Sequence, residues 1–469
     1  MKIEQIYTGC LAQGAYYVTA DNEAFIIDPL REIQPYLDRL HNDNVKLKYI
    51  FETHFHADFV SGHLDLAQKT GAQIVYGPNA NPDFKHISAI DSQVFEIGNI
   101  KIKVLHTPGH TLESTTFLLI DENQKNHAIF TGDTLFIGDV GRPDLAQKAT
   151  TLTQEQLAGM LFHSLRNKIM ILEDDVLVYP AHGAGSACGK NMSKETFSTL
   201  GEQKLNNYAL RANMTEAEFI AEVTDGLLPP PAYFGSNVTM NKSGIESFET
   251  VFNRGNLAIN AFEFQQKIQT KNIVVLDTRN STDFALGHIP NAINIGIKGD
   301  FAPWVGAIIS NVKTPLLLVC DLETEQETVT RLSRVGFDNV IGFLENGFET
   351  WQKSGFKIEN INRISAQQFE NEFDVEKSIV IDVRKISEYE AEHVTDAFSK
   401  PLAAIADWKV TLPTNHFFVH CAGGYRSMIA ASVIKRNGTN DFSEIDGGFN
   451  AIAKTTIETS DFVCGSKVI

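Results

Sequence analysis

Short apolar runs alternate with longer segments of helical periodicity along most of the chain. Residues 25–27 form such a run, and apolar side chains then recur at helical spacing from Ile33 to Leu40. The same order returns near the C-terminus, where the run 416–419 precedes a helical pattern over 427–436. Strands that alternate with helices are typical of α/β domains with a largely parallel sheet. The pattern therefore predicts an α/β protein.

The second half of the sequence contains an internal repeat. Val-Val-Leu-Asp-Thr-Arg at 274–279 matches Ile-Val-Ile-Asp-Val-Arg at 379–384, and His288 matches His393 at the same offset of 105 residues. A period of this length is too long for a solenoid unit and has the size of a small domain. Two tandem copies of one α/β domain are therefore expected.

Domain boundaries follow from the repeat and from local composition. We expect a first domain over residues 1–240, a first copy of the repeated domain over 255–357, and a second copy over 362–469. The three prolines at 229–231 and the Gly-, Ser- and Asn-containing stretch that continues to Gly244 predict a linker. The length of 469 residues agrees with about three domains.

Charge and cysteine content limit the kind of partner. The chain has 40 basic and 58 acidic residues, a formal net charge of −18, which argues against nucleic acid or an anionic membrane as a partner. No apolar run approaches the ~18 residues of a membrane span, and the first residues lack the regions of a signal peptide. Five scattered cysteines suit a reducing compartment. We therefore expect a cytoplasmic protein that acts on small molecules and forms a homo-oligomer.

Potential metal ligands in the first half come from one His-x-His-x-Asp motif and three later loops. These residues are His54, His56, Asp58, His110, Asp133 and His182. The last three follow strand-like runs at 102–105, 128–130 and 176–178. A rigid scaffold would present a metal ion with ligands on such Gly- and Pro-containing loops at strand ends. One isolated histidine is more often a core or surface residue, but four motifs in this order predict a metal site.

A second chemical motif follows the strand-like run 417–420 and opens a helix. Its sequence is Cys421-Ala422-Gly423-Gly424-Tyr425-Arg426-Ser427. Backbone N–H groups and the positive end of the helix dipole favour a thiolate at such a cysteine and bind an anion beside it. The glycines allow the backbone to curl around the sulfur, and Arg426 adds a positive charge. The loop predicts a nucleophilic cysteine at 421 rather than a buried structural one.

The first copy departs from this pattern. Cys320 lies at or next to the equivalent position, but its loop lacks both glycines and the arginine and instead carries Asp321, Glu323 and Glu325. Like charge disfavours a thiolate and repels an anionic sulfur substrate. We expect copy one to be structural or substrate-guiding, with Cys320 not catalytic. The remaining cysteines, which we expect to pack without a chemical role, are Cys10, Cys188 and Cys464.

Both halves resemble known families. The repeated domains resemble rhodanese domains in Asp382-Val383-Arg384, in the stretch 287–292 (Gly-His-Ile-Pro-Asn-Ala) and in the Cys421 loop. The first half resembles the persulfide dioxygenase branch of the metallo-β-lactamase superfamily in Glu52-Thr53-His54, in 138–145 and in 179–183. The order resembles that of bacterial persulfide dioxygenase–sulfurtransferase fusions. The fold class implied is an N-terminal metallo-β-lactamase αβ/βα sandwich followed by two rhodanese-like α/β domains.

The resemblance also implies a ligand set. In the metallo-β-lactamase fold a histidine usually follows the aspartate of the motif and completes a second metal site, but here that position is Phe59, which cannot coordinate. A single open centre is implied, with one Fe(II) per chain held by three residues, His54, His110 and Asp133. The residues that would surround the metal or face the substrate are His56, Asp58, His182 and Arg142. Spacing alone leaves zinc open, since catalytic zinc also accepts two histidines and a carboxylate.

The function implied is oxidation of a low-molecular-weight thiol persulfide, such as glutathione persulfide, by O₂ to sulfite and thiol. Cys421 would then transfer sulfur and give or use thiosulfate. Two other functions stay open: a thioester hydrolase of the glyoxalase II type with two zinc ions, and a sulfane-sulfur carrier or sensor. The first is disfavoured by Phe59 and the second by the complete ligand set.

Overall fold

A computed structural model describes residues 1–145, 151–190, 192–227 and 229–463, so Cys464 lies outside the described residues. The chain divides into two compact units, which are described separately. One comprises Met1–Thr250 with Ser333–Gly336, and the other comprises Val251–Leu332 with Phe337–Ile469. Among the described residues, no helix combines the length and apolar character that a membrane crossing requires.

The first unit contains two mixed sheets. One sheet has the strand order β1-β2-β3-β4-β5-β6, with β1 Lys2–Thr8, β2 Gln13–Ala20, β3 Glu23–Ile27, β4 Lys46–Glu52, β5 Gln73–Tyr76 and β6 Ile87–Ser88. The other has the order β12-β11-β10-β9-β8-β7, with β7 Val94–Ile97, β8 Ile100–His106, β9 Thr115–Ile120, β10 Asn126–Gly132, β11 Leu177–Pro180 and β12 Ser198–Thr199. The helices of this unit are α1 Gln34–Asn42, α2 His63–Thr70, α3 Gln154–Ser164, α4 Leu200–Asn206, α5 Glu216–Thr224 and α6 Phe234–Ser243.

The two sheets pack face to face, and helices cover their outer faces. Phe51 of β4 lies at the centre of the interface, with its ring centroid 4.8 Å from that of Phe117 in β9 and 5.5 Å from that of Phe95 in β7. A separate apolar cluster joins the outer face of the first sheet to α1 and α2. Another joins the second sheet to α3 and α5. This confirms the predicted αβ/βα sandwich. Central strands such as β2 and β9 are buried along almost their whole length, because both faces of each sheet are covered.

The second unit contains two parallel sheets of the same topology. The first has the order β13-β17-β16-β14-β15, with β13 Ala258–Ile259, β14 Val274–Asp277, β15 Ile293–Asn294, β16 Leu316–Val319 and β17 Val340–Leu344. The second has the order β18-β22-β21-β19-β20, with β18 Arg363–Ile364, β19 Ile379–Asp382, β20 Phe398–Ser399, β21 Phe417–His420 and β22 Phe442–Ile445. The helices of copy one are α8 Ala261–Ile268, α9 Ser281–Leu286, α10 Phe301–Ile308, α11 Glu325–Arg334 and α12 Gly347–Lys353, after α7 Phe248–Gly255. Those of copy two are α13 Ala366–Glu372, α14 Ile386–Ala391, α15 Ile405–Trp408, α16 Tyr425–Arg436 and α17 Gly448–Ile452.

Strand register places the two cysteine loops at equivalent positions. Asp277 pairs with Val319 in copy one, and Asp382 pairs with His420 in copy two. Cys320 and Cys421 are the next residues in each chain segment, so the duplication predicted from sequence extends to the cysteine itself. The two α/β copies are confirmed.

The segment predicted as a linker is partly a helix. Residues 234–243 form α6, and its Asn241 is buried and caps the loop that carries the His-x-His-x-Asp motif. The Asn241 amide donates to the carbonyl oxygens of His56 and Phe59 at 2.8 Å each, and its oxygen accepts from the Ser61 N–H at 2.8 Å. The linker prediction was wrong for these residues, because they form a helix whose Asn241 is held by hydrogen bonds within the first unit.

Candidate functional site

Three of the predicted ligands converge at the ends of their strands. His54 follows β4, His110 lies in the loop after β8, and Asp133 follows β10; all three are buried. The His110 Nε2 lies 3.3 Å from Asp133 Oδ2, and the His54 Nε2 lies 3.9 Å from the same oxygen. One ligand atom from each of the three lies within 4.8 Å of those of the other two. The structure thus brings together the three residues that the family resemblance implies as ligands.

Neighbouring groups fix the tautomer of both histidines. Thr53 Oγ1 donates to Asp28 Oδ2 at 2.8 Å, so it accepts from His54 Nδ1, 2.9 Å away. His110 Nδ1 donates to the carbonyl oxygen of Arg142 at 2.9 Å. In each ring the Nδ1 holds the hydrogen, and the Nε2 lone pair is left for a metal. Burial, with the neighbouring histidines, holds the pKa of His54 well below its usual range, which keeps the ring neutral.

The carboxylate of Asp133 provides the test of whether a cation fits. Within the described part of the chain, neither of its oxygens has a hydrogen-bond partner, although both are buried. An uncompensated buried carboxylate costs several kcal/mol, about the amount that a bound cation would remove. Two imidazoles with Nε2 facing the centre and one carboxylate with free donor atoms therefore fit a divalent metal ion. Gly132 permits this arrangement, since a Cβ there would lie 2.6 Å from Thr53 Oγ1.

His56 is turned towards acidic residues. Its Nε2 lies 3.0 Å from Asp28 Oδ1 and 3.7 Å from Glu52 Oε2. Burial opposes the cation, but the charge and hydrogen bond of Asp28 raise the pKa of His56 to about 9. A protonated imidazole has no lone pair for a metal. The Phe59 ring lies against the His56 ring, with centroids 4.2 Å apart. Phe59 occupies the position at which the related proteins usually have a metal-ligating histidine.

Asp58 and His182 lie beside the trio. His182 Nε2 is 3.4 Å from Asp58 Oδ2 and 3.6 Å from Asp133 Oδ1, and the potential donor atoms of His56, Asp58 and His182 also lie within 4.8 Å of one another. His182 Nδ1 lies 3.3 Å from the carbonyl oxygen of Ala12 and donates to it, which leaves Nε2 facing the centre. These residues therefore surround the candidate metal position.

Arg142 acts on the trio through its backbone. Its carbonyl oxygen is the acceptor that orients His110, while its guanidinium binds Asp144 with Nε–Oδ1 and Nη2–Oδ2 distances of 2.7 Å each. Its Nη1 also donates to the carbonyl of Ala187 at 3.2 Å. Arg142 thus connects the ligand loop to the segment that follows His182.

Cys188, which the sequence predicts to pack without a chemical role, lies beside the trio. It is buried, and its sulfur lies within 4.8 Å of donor atoms of Asp133 and His182. Burial first, and then the nearby Asp58 and Asp133, raise the pKa of its thiol. The only sequence signal was its position six residues after His182 in a Gly-rich stretch.

The Cys421 loop of copy two has the geometry of an anion-binding turn. Cys421 is buried, and its sulfur accepts the Gly424 N–H at 3.1 Å and lies 3.4 Å from the Ser427 hydroxyl. Gly424 has φ +98°, a left-handed conformation that suits glycine and starts α16. Gly423 is exposed, and the Ala422 carbonyl accepts from the Asn450 N–H at 3.0 Å.

Arg426 and Tyr425 of this loop contact other segments of the chain. The Arg426 guanidinium binds the carboxylate of Glu388 in a bidentate pair, at 2.6 and 2.7 Å. Its charge is therefore largely matched, rather than directed at the sulfur alone. The Tyr425 hydroxyl donates to the carbonyl of Gly296 in copy one at 2.8 Å, so the first copy contacts the loop of the second.

Cys320 has a different environment. Its sulfur lies 3.7 Å from the Thr328 hydroxyl in a buried position. Burial, with Glu325 and Asp277, raises the pKa of this thiol to about 12. A thiol of that pKa is almost entirely protonated at neutral pH. This supports the expectation that Cys320 is not a nucleophile, which stays a prediction.

Comparison with known proteins identifies the domain families of both halves of the chain. Residues 8–182 match the metallo-beta-lactamase superfamily, and residues 260–354 and 365–455 each match the rhodanese-like domain. The chain belongs to the metallo-β-lactamase superfamily and carries two rhodanese-like domains after its metallo-β-lactamase domain. Its similarity to persulfide dioxygenases supports the fusion predicted from sequence.

Individual relatives include hydrolases and dioxygenases. A probable hydroxyacylglutathione hydrolase of Schizosaccharomyces pombe is 32% identical over 163 residues, which are 34% of this chain and only 59% of that protein. The mitochondrial persulfide dioxygenase ETHE1 of Homo sapiens is 32% identical over 230 residues, 48% of this chain and 81% of that protein. A solved metallo-beta-lactamase from Staphylococcus aureus subsp. aureus COL is 31% identical, with a TM-score of 0.65 over 73% of this chain and 98% of that chain.

Proposed function

We propose that the chain oxidises a low-molecular-weight thiol persulfide, such as glutathione persulfide, with O₂ to sulfite and the parent thiol. The centre would be a single Fe(II) held by His54, His110 and Asp133. The observation that carries the proposal is the environment of His56. Its ring lies beside that of His54, but its Nε2 is bound by Asp28 and its face is covered by Phe59. A hydrolase with two metals would need donors where this chain has an ion pair and a phenyl ring.

When bound, Fe(II) would supply open coordination positions for O₂ and a substrate sulfur, as two histidines and one carboxylate do in non-haem oxygenases. The chain's own residues would orient the substrate. His182 Nε2 faces the centre with its Nδ1 held by Ala12, so it is placed to accept the proton of a persulfide. The metal position lies among buried side chains. One water must still enter in each turnover, because O₂ supplies two of the three oxygens of sulfite and water supplies the third.

The second part of the proposal is sulfur transfer at Cys421. Its thiolate would attack the outer sulfur of thiosulfate, the S–S bond would break, and sulfite would leave with the electron pair. In the reverse direction, a Cys421 persulfide would give its terminal sulfur to sulfite and form thiosulfate. The support is the Gly424 N–H and the start of α16 at the sulfur, both of which stabilise negative charge.

A substrate comparison tests the oxidation. Protein loaded anaerobically with Fe(II) should consume O₂ when given glutathione persulfide, and should hydrolyse a hydroxyacylglutathione thioester at most slowly. The hydrolase is the second candidate, because hydroxyacylglutathione hydrolases are among the relatives. Rapid thioester hydrolysis without persulfide-dependent O₂ uptake would overturn the proposal in favour of that hydrolase. A sulfane-sulfur carrier or sensor would show neither reaction.

Cys421→Ser should abolish sulfur transfer from thiosulfate, whereas Cys320→Ser should leave its rate within about twofold of wild type. The reason is the contrast between a sulfur that accepts an N–H bond and a thiol whose pKa is raised to about 12. Transfer to cyanide, followed as thiocyanate, measures both variants. Equal loss in the two would show that copy one is itself catalytic.

A further inference from the structure

A buried carboxylate lies behind the Cys421 sulfur in copy two. Glu444 of β22 is fully buried, and its Oε1 accepts the Ser427 hydroxyl at 2.5 Å. The same hydroxyl oxygen lies 3.4 Å from Cys421 Sγ. A continuous path of two hydrogen bonds therefore joins the sulfur to the carboxylate, through a serine that has only one hydrogen to give.

Because the Ser427 hydroxyl has one hydrogen and two possible acceptors, Cys421 and Glu444, the path can take two arrangements. In the first, the Cys421 thiol donates to Ser427, and Ser427 donates to an ionised Glu444. In the second, a protonated Glu444 donates to Ser427, and Ser427 donates to the Cys421 thiolate. The two differ by one proton moved from the sulfur to the carboxylate, and neither leaves a buried donor or acceptor of this path unpaired.

We propose that Glu444 takes the Cys421 proton through the Ser427 hydroxyl and returns it after each sulfur transfer. The proposal rests on the proposed function of Cys421 and adds a proton acceptor to it. In the forward step, the Cys421 proton passes to Ser427 Oγ while the Ser427 proton passes to Glu444 Oε1. The thiolate then forms an S–S bond to the sulfane sulfur of the donor, and sulfite or thiol leaves with the electron pair of the broken bond. When the Cys421 persulfide gives up its outer sulfur, Cys421 leaves as a thiolate and takes the proton back.

The charged groups around Glu444 suit this exchange. Arg363 of β18 places its Nε 2.9 Å from Glu444 Oε2 and its Nη2 2.5 Å from Asp446 Oδ1. Arg363 also binds copy one, where its Nη1 donates to the hydroxyls of Ser281 and Thr282 at 3.2 and 2.8 Å. Burial outweighs the opposing effect of Arg363 and raises the pKa of Glu444 to about 7, so the carboxyl group can exchange a proton near neutral pH.

Copy one lacks both members of this pair. Strand pairing aligns Arg363 with Glu444 in copy two, and Ala258 with Phe343 at the corresponding positions of copy one. The buried carboxylate and its arginine therefore accompany only the glycine-containing cysteine loop. A salt bridge that only stabilised the shared fold would be expected in both copies. A proton acceptor for the cysteine would be expected only in the copy that has the glycine-containing cysteine loop.

The experiment measures how the alkylation rate of Cys421 depends on pH in the full-length protein. Iodoacetamide labelling is followed by mass spectrometry of the peptide that contains Cys421, so the readout needs no sulfur substrate. In wild type, the Cys421 thiol and the Glu444 carboxyl group should titrate as a coupled pair, so the rate should rise with pH in two steps. In Glu444→Gln the rate should rise in a single step, as it does for an isolated thiol. Sulfur transfer from thiosulfate at pH 7 should fall at least about tenfold.

Three further variants separate the relay from a structural role. Ser427→Ala should reproduce the Glu444→Gln profile, and Ser427→Thr, which keeps a hydroxyl, should restore most of the transfer rate. The double variant Glu444→Gln/Ser427→Ala should be no slower than the slower single variant, because both changes interrupt one path. Glu372→Gln, the same change at an exposed carboxylate of α13, serves as the matched control.

The outcomes distinguish the relay from the proposed function. A wild-type protein that transfers no sulfur from thiosulfate or persulfide would refute the function of Cys421. A wild type that transfers sulfur, with Glu444→Gln reacting as fast or faster at pH 7 or with an alkylation profile of unchanged shape, would refute the relay alone. A faster variant would mean that Glu444 acts only as a repelling charge.

Discussion

His110→Ala is expected to lose most bound metal and to lower persulfide-dependent O₂ uptake by more than about 100-fold. Residues that only orient a metal ligand typically contribute about 10–100-fold, and His110 would be a ligand itself. The ring is buried, its Nδ1 is held by the Arg142 carbonyl, and its Nε2 points to Asp133. Iron content by elemental analysis and O₂ uptake by electrode, on protein reconstituted anaerobically with Fe(II), give both readouts.

Two further variants serve as comparisons for His110→Ala. Thr53→Val removes the hydroxyl that orients His54 while keeping its shape, so its loss should lie within about 10–100-fold. His41→Ala, at an exposed histidine in the last turn of α1, should retain full metal and activity. Full O₂ uptake in His110→Ala would show that the metal is held elsewhere, with the group of Asp133, His182 and Cys188 the next to test.

Wild type given persulfide and O₂ should accumulate thiosulfate, and Cys421→Ser should accumulate sulfite instead. The oxidation site would release sulfite, and a Cys421 persulfide on the same chain would consume it. A covalent tether raises the local concentration of such an intermediate even where the two sites do not touch. The ratio of sulfite to thiosulfate, measured by chromatography of derivatised products, is the quantity to compare.

A mixture of full-length variants isolates the effect of the tether. His110→Ala keeps the cysteine loop and Cys421→Ser keeps the metal ligands, so an equimolar mixture at low concentration contains both activities on separate chains. Its products should shift towards sulfite relative to wild type. An identical ratio in wild type, mixture and Cys421→Ser would mean that the rhodanese-like half does not consume this sulfite, and that it works in another direction, such as generating persulfide from thiosulfate.

The sequence predicted residues whose chemistry is local. His110, Asp133 and His182 were each predicted to follow a strand-like run and Cys421 to precede a helix, and the structure has strands and a helix at these places. The choice of His54, His110 and Asp133 as ligands came from the family resemblance and stays a prediction. The internal repeat predicted two copies of one domain, and strand register then showed that Cys320 and Cys421 are equivalent.

The residues that were missed act over long sequence separations. Asn241 reaches the motif loop from a helix 182 residues after Phe59, and Glu444 reaches Ser427 from the next strand but belongs to no loop motif. Cys188 and Arg363 meet their partners only because separate segments pack together. Contacts of this kind depend on packing geometry, which neither composition nor periodicity encodes.

The most direct test of persulfide oxidation at a single iron is the dependence of O₂ uptake on iron content. Apoprotein is titrated anaerobically with Fe(II), and O₂ uptake with glutathione persulfide is measured at each step. Zinc competes for such sites, so residual zinc is quantified in the same samples. Activity should rise linearly and saturate at one iron per chain. Saturation at two irons per chain, or O₂ uptake that does not depend on iron, would contradict oxidation at a single iron.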